Sequence, residues 1–212
     1  MAESTAGRRV VLASHNKGKL AELRRILEPE LPGIEVLGLD DIGDFAEPVE
    51  DQPTFEGNAL LKARAAAKAT GLLSLADDSG ICVDALNGMP GVLSARWSGR
   101  PQEGDSRPVA ERNNALLLDQ LADVPDDRRG GEFRCAMALV TPSGAEVVEI
   151  GIMRGRVQRG PTGDGGFGYD PLFVAEGYDV STAELSADDK DAISHRGKAL
   201  RAMVPRLVAL LA

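Results

Sequence analysis

The sequence predicts an α/β fold, and three patterns lead there. Short apolar runs alternate with helix-period segments over residues 8–76, two alternating runs over 132–157 read as a hairpin, and an amphipathic helix closes the chain. In the first half the order is strand, helix, strand, helix, strand, which favours parallel pairing through crossover connections.

The first strand is RRVVLAS (8–14), and GKLAELRRIL (18–27) places Leu20, Leu23 and Leu27 at helical spacing. IEVLGL (34–39) is the second strand. The acidic loop DDIGDFAEPVEDQP (40–53) then leads to an alanine-rich helix, N-capped by Thr54 and stopped near Gly71. LLSLA (72–76) reads as a buried strand closing at Asp77 and Asp78. Residues 98–131 form an excursion: polar loop, helix over 109–124, polar turn. In the hairpin, Phe133, Cys135, Met137 and Leu139 alternate and Pro-Ser-Gly marks the turn. The last helix follows Ser194, its expected N-cap, and puts Leu200, Met203, Val204, Leu207 and Leu211 on one face. Pro205 is expected to kink or interrupt it. No repeat or flexible linker divides the 212 residues, so one domain, 1–212, is expected.

Composition narrows the function. A hydrophobic content of 43% is that of a globular chain, and no apolar run nears the roughly 20 residues that span a bilayer. The stretch MAESTAGRRVV lacks the apolar core of a signal peptide, so a cytoplasmic protein with no membrane partner is expected. Cys82 and Cys135 lie in apolar runs and read as free thiols, and two Cys with two scattered His make no zinc site. A net charge of −9 argues against a nucleic acid polymer as partner. It leaves a small phosphorylated ligand open, because a few lysines and a divalent cation reverse the sign locally.

Several stretches can carry chemistry. LASHNKGKL (12–20) runs from a strand through a polar turn into a helix start, which presents backbone N–H groups to an anion, with Lys17 and Lys19 adding charge. It lacks Walker A spacing, and a solvated loop is the plainer reading. Asn58 and Lys62 share a helical face, and Glu47, Glu50 and Asp51 stand upstream in the acidic loop. GPTGDGGFGYDPLFV (160–174) holds five glycines, a flexible loop or a backbone that must approach something closely. Phe167 and Tyr169 beside them suit either base stacking or core packing. Two adjacent aspartates after an apolar run are either a strand end turning into solvent or the seat of a cation.

Read together, SHNKGKLAEL, TFEGNALLKA, ADDSGICVDALNGMPGVLSARWSG, GGFGYDPLF and KDAISHRGKAL resemble, in order and spacing, the inosine triphosphate pyrophosphatase family. The resemblance runs from about residue 9 to the C-terminal helix; Ser14-His15 stands where many relatives have Thr-Gly. It implies a long, curved mixed β-sheet flanked by helices, two lobes with a deep central cleft, and a homodimer. It also implies Mg²⁺-dependent hydrolysis of ITP, dITP and XTP to the monophosphate and pyrophosphate, a cleansing of the nucleotide pool. By the same resemblance Ser14, His15, Asn16, Lys17, Gly18 and Lys19 hold the triphosphate with help from Lys62. Asp78 is proton acceptor and metal ligand beside Asp77, Glu50 is the second metal ligand, and Ser79 contacts substrate. Phe167, Gly168, Tyr169, Asp170, Lys190, His195 and Arg196 match the base-recognition set.

The chemistry agrees with the resemblance. Mg²⁺ binds one or two carboxylates together with phosphates and waters, so acids after LLSLA read as its seat at a strand's carboxyl end. Hypoxanthine and xanthine carry a C6 carbonyl that Arg196 and His195 can donate to, whereas adenine offers an amino group and leaves those donors unpaired. Rival readings are a pyrophosphatase directed at canonical or modified pyrimidine nucleotides, a non-catalytic nucleotide sensor, and an acidic scaffold. The retention of Asp77, Asp78, Lys19 and Lys62 together opposes the sensor.

Overall fold

The structure is a computed structural model describing residues 9–43 and 46–211. Arg8 of the first predicted strand, Asp44 and Phe45 of the acidic loop, and Ala212 lie outside the described residues. The strands are β1 (Arg9–Leu12), β2 (Glu35–Leu37), β3 (Leu73–Val83), β4 (Gly130–Val140), β5 (Glu146–Val157) and β6 (Phe173–Ala175). The helices are α1 (Lys17–Leu27), α2 (Phe55–Thr70), α3 (Val109–Gln120), α4 (Ala187–Ile193) and α5 (His195–Leu211).

The strands form one six-stranded sheet in the order β2-β1-β3-β4-β5-β6. β1 is parallel to β2 and to β3, with Val11 opposite Leu37 on one side and Ser74 on the other, while β5 and β6 are antiparallel. The sheet is therefore mixed, as the resemblance implied. The helix ends follow the sequence signals: the Thr54 hydroxyl accepts from the Gly57 N–H, and Gly71 closes α2 in the left-handed conformation at φ +66°.

The chain divides into two compact units. The first runs to Asp78 and takes in Cys135–Gly151 and the chain from Arg196 onward. Its core joins Leu23 and Leu27 of α1, Leu73 and Leu75 of β3, Cys135, Met137 and Leu139 of β4, and Leu200, Met203 and Leu207 of α5. The second consists of Ser79–Arg134 and Ile152–His195. Its core joins Ile81 and Val83 of β3, Leu117 and Leu121 around α3, Phe133, Met153, Val157, Tyr169, Leu172 and Phe173. In this second unit Arg129, 2% exposed, donates its guanidinium hydrogens to the carbonyls of Leu121, Val157 and Gln158, a buried cation held by neutral acceptors.

Two expectations need correction. β3 does not close at the acid doublet; it continues through Asp77, Asp78, Ser79 and Gly80 to Val83, because Ile81 and Val83 are fully buried and pull the extended chain onward. Burial outweighs the charge that looked like a strand terminator. Pro205 does not interrupt α5, which stays helical to Leu211. The hydrogen bond Pro205 cannot donate would have ended on Arg201; both residues are exposed, so the cost falls on the solvent side of the helix.

Gly155 in β5 shows how tightly the second unit is packed. A Cβ there would run into the Val174 carbonyl and the Phe173 ring of the paired strand. Gly155→Ala is expected to cost about 1–3 kcal/mol, the usual range for overpacking, and to lower the urea midpoint accordingly. An unchanged midpoint would show that β6 yields freely.

Candidate active site

Asp77 is the most buried of the predicted site residues in the first unit, 3% exposed. The Lys19 ammonium, one turn into α1, reaches both its carboxylate oxygens at 2.9 and 2.8 Å, and Arg196 Nε at the start of α5 reaches Oδ2 at 3.2 Å. Arg196 Nη1 also lies 3.4 Å from Glu22 of α1, itself buried. Burial alone would push Asp77 up, but Lys19, Arg196 and Lys62 outweigh it and hold the carboxyl far below the usual range. Burial likewise opposes the Arg196 charge, and Asp77 and Glu22 more than restore it.

Asp78 is built differently. Successive side chains of a strand point to opposite faces, so the doublet is adjacent in sequence without sharing one seat. Asp78 accepts a hydrogen bond from Asn58 Nδ2 of α2 at 3.0 Å, and burial raises its proton affinity, with Lys62 and Asn58 only partly offsetting this and the charges of Glu50 and Asp77 adding to it. One turn along α2, Lys62 donates to Glu50 Oε1 at 2.6 Å; burial lowers its proton affinity, and Asp77, Glu50 and Asp78 more than compensate. Asn58 Oδ1 also accepts from the Gln52 N–H at 3.0 Å, so α2 fastens the segment carrying Glu50. Thus burial and neighbouring charge shift the two acids in opposite directions, Asp77 down and Asp78 up.

The turn before α1 is organised by its own side chains. Ser14 Oγ accepts from the Asn16 N–H and Asn16 Oδ1 from the Lys19 N–H, both at 3.1 Å, capping the helix. His15, Asn16, Lys17 and Gly18 are exposed. His15 meets Asp40 through Nδ1 at 2.6 Å and Glu47 through Nε2 at 2.8 Å, and its proton affinity is raised, the Asp40 hydrogen bond foremost.

The remaining predicted residues belong to the second unit. Ser79 is half-buried on β3. In the glycine-rich loop, Asp170 accepts from the Phe167 N–H at 2.6 Å, from Thr182 Oγ1 at 2.9 Å and from Lys190 Nζ. A Cβ on Gly166, at φ +71°, would collide with that carboxylate. The two aromatics part company. Phe167 is 57% exposed with the Lys190 ammonium 5.0 Å from its ring centre, whereas Tyr169 is core, its hydroxyl donating to the Ser94 carbonyl at 2.8 Å. Gly168, at φ +63°, receives a hydrogen bond on its carbonyl from Asn114 of α3 at 3.0 Å. His195 is buried and stacked on Phe133, centroids 4.9 Å apart.

Several residues of these clusters escaped the sequence reading, among them Glu22, Asn114 and Thr182. Glu22 follows Lys19 at i+3, a spacing that puts both on one helical face and was visible in principle. Asn114 and Thr182 act over long sequence separations and carry no local signal.

Residues 10–206 match the Ham1 family profile. A protein of Nocardia farcinica named dITP/XTP pyrophosphatase is 58% identical over 203 residues, covering 95% of this chain and 96% of the relative. A Mycobacterium tuberculosis protein of the same name is 55% identical, with 95% and 96% covered. Among solved structures, a nucleoside-triphosphatase / dITP/XTP pyrophosphatase from Mycobacterium abscessus matches at TM-score 0.75 and 53% identity, covering 93% of this chain and 99% of that one. A HAM1 protein from Coxiella burnetii matches at TM-score 0.84 and 36% identity, covering 95% and 98%.

The Asp77 cluster sets a stability test. Its folded carboxyl titrates below the usual value near 3.8, so its contribution is present above that pH and fades as the pH falls toward the folded value. Asp77→Asn leaves Lys19 and Arg196 without their shared counter-charge, and should cost about 3–5 kcal/mol at pH 7. It should also flatten the loss of stability below about pH 4; an acid limb identical to that of the unaltered protein in denaturant titrations would refute the assignment.

Proposed function

The chain belongs to the Ham1 family, and on that membership we propose that it hydrolyses the noncanonical purine nucleoside triphosphates dITP, XTP and ITP between the α- and β-phosphates. The products are the nucleoside monophosphate and pyrophosphate, so the enzyme cleanses the nucleotide pool. The observation that carries this reading is the charge cluster of the first unit. Lys19 and Lys62 supply cations suited to a triphosphate, and the capped turn from Ser14 to Gly18 offers the N-terminus of α1 as an anion site. Relatives that share at least half of the sequence bear the name of this activity.

In this reading Asp78 and Glu50 are the metal ligands. Their chemistry fits: two carboxylate oxygens, close enough for the charge of Glu50 to raise the proton affinity of Asp78, are the hard donor set that Mg²⁺ takes from a protein beside phosphates and waters. Bound there, the ion supplies positive charge against the polyphosphate and acidity for a coordinated water. By the family resemblance Asp78 is also the group that accepts a proton from the attacking water. Asn58 orients Asp78, Arg196 holds Asp77 ionised, and Lys19 and Lys62 stabilise the departing pyrophosphate.

The second unit takes the base. Phe167 offers an exposed ring, Lys190 and the buried His195 offer donors, and Ser79 adds a hydroxyl. Gly168, Tyr169 and Asp170 shape the loop that presents Phe167. Arg196 belongs to the base set by resemblance, while two of its nitrogens serve Asp77 and Glu22. Both units form one functional domain in this reading. The protein acts as a cytoplasmic homodimer on a small nucleotide; the family resemblance supports the dimer, and the net charge of −9 opposes a nucleic acid substrate.

Incubation with XTP or dITP and Mg²⁺ is expected to yield monophosphate and pyrophosphate in equal amounts, and chelation with EDTA to abolish turnover. Diphosphate and phosphate as products would overturn the reading. Phe167→Ala should lower kcat/KM for XTP by roughly 5- to 150-fold, the worth of one base–aromatic stack. Because the ring is exposed, the melting temperature should hardly move. An unchanged kcat/KM would remove Phe167 from base recognition.

A further inference from the structure

We propose that His15 is a positioning residue, a latch by which the turn before α1 holds the acidic segment that carries Glu50. The proposal rests on the preceding reading, which gives that turn the triphosphate and Glu50 the metal. Both ring nitrogens of His15 face carboxylates: Nδ1 lies 2.6 Å from Asp40, just beyond β2, and Nε2 lies 2.8 Å from Glu47, three residues before Glu50. Only an imidazolium donates at both nitrogens, so in its protonated form the ring is a cation shared by two anions that would otherwise repel. With both N–H groups committed, His15 has no ring donor left for a phosphate, unlike the lysines beside it.

The fastening of the acidic segment makes this tie distinctive. Glu50 is held by Lys62 and the Gln52 N–H by Asn58, both from α2. His15 holds Glu47 from the other side and so ties the acidic segment to the turn before α1. All three latch residues are about half exposed, with side-chain exposures of 56%, 60% and 48%, so their attraction is screened and the latch serves geometry more than stability.

Hydrogen exchange on the full-length protein, without nucleotide or metal, tests this directly. His15→Gln should speed exchange of the amides of residues 46–52 by about 3- to 10-fold and leave α3 unchanged. Glu47→Gln should do the same, and the two changes together should add little to either alone. Calorimetric titration with Mg²⁺ should show weaker binding by a similar factor in each variant. Unchanged exchange over 46–52 in both variants overturns the latch, as does faster exchange that is fully additive. Should His15→Gln fail to fold, Glu47→Gln and Asp40→Asn carry the same test from the solvent side. If the unaltered protein hydrolyses none of the nucleotides, the functional reading fails, while the exchange experiment still decides the latch.

Discussion

A carboxylate buried as deeply as Asp77 is tolerable only with cations against it, and meeting that demand organises the first unit. Lys19 comes from α1 and Arg196 from α5, so the two helices and strand β3 are drawn to one charge. Around it three cations, Lys19, Lys62 and Arg196, stand with four carboxylates, Glu22, Glu50, Asp77 and Asp78. The surplus is negative by one. A triphosphate would be repelled by that balance, and a divalent cation would reverse it, which is how an acidic protein can still take a polyanion.

Much of the fold was legible because its signals are local. The Thr54 cap, the Gly71 stop and the apolar faces of α1 and α5 stand where periodicity and capping chemistry put them. The length of β3 was not legible, since adjacent charges look like a strand end until the buried residues beyond them are known to pair and pack. The alternation of β3 also changes the meaning of the doublet: Asp77 meets Lys19 and Arg196 while Asp78 meets Asn58, and Glu50, twenty-eight residues upstream, acts on Asp78 alongside the charge of Asp77. Spacing along the chain could not reveal this.

The candidate site shows the same division. Phe167 and Tyr169 looked equivalent in sequence, yet one is exposed under a lysine and the other is anchored to Ser94 within the core. What separates them is the tight loop that Gly166 permits and Asp170 braces from three directions. Composition marked the loop as unusual; only long-range partners such as Thr182 and Asn114 decide which ring it shows to solvent.

Arg129 offers a contrast with the carboxylate clusters. Its charge is spread over three backbone oxygens, none of which accepts a proton at any pH a cell meets. Acid can unpick the ion pairs around Asp77 by neutralising one side of them, but it does not neutralise the carbonyls that hold Arg129. The three bonds that join the end of α3 to the far end of β5 through Arg129 therefore persist at a pH where an ion pair would be lost.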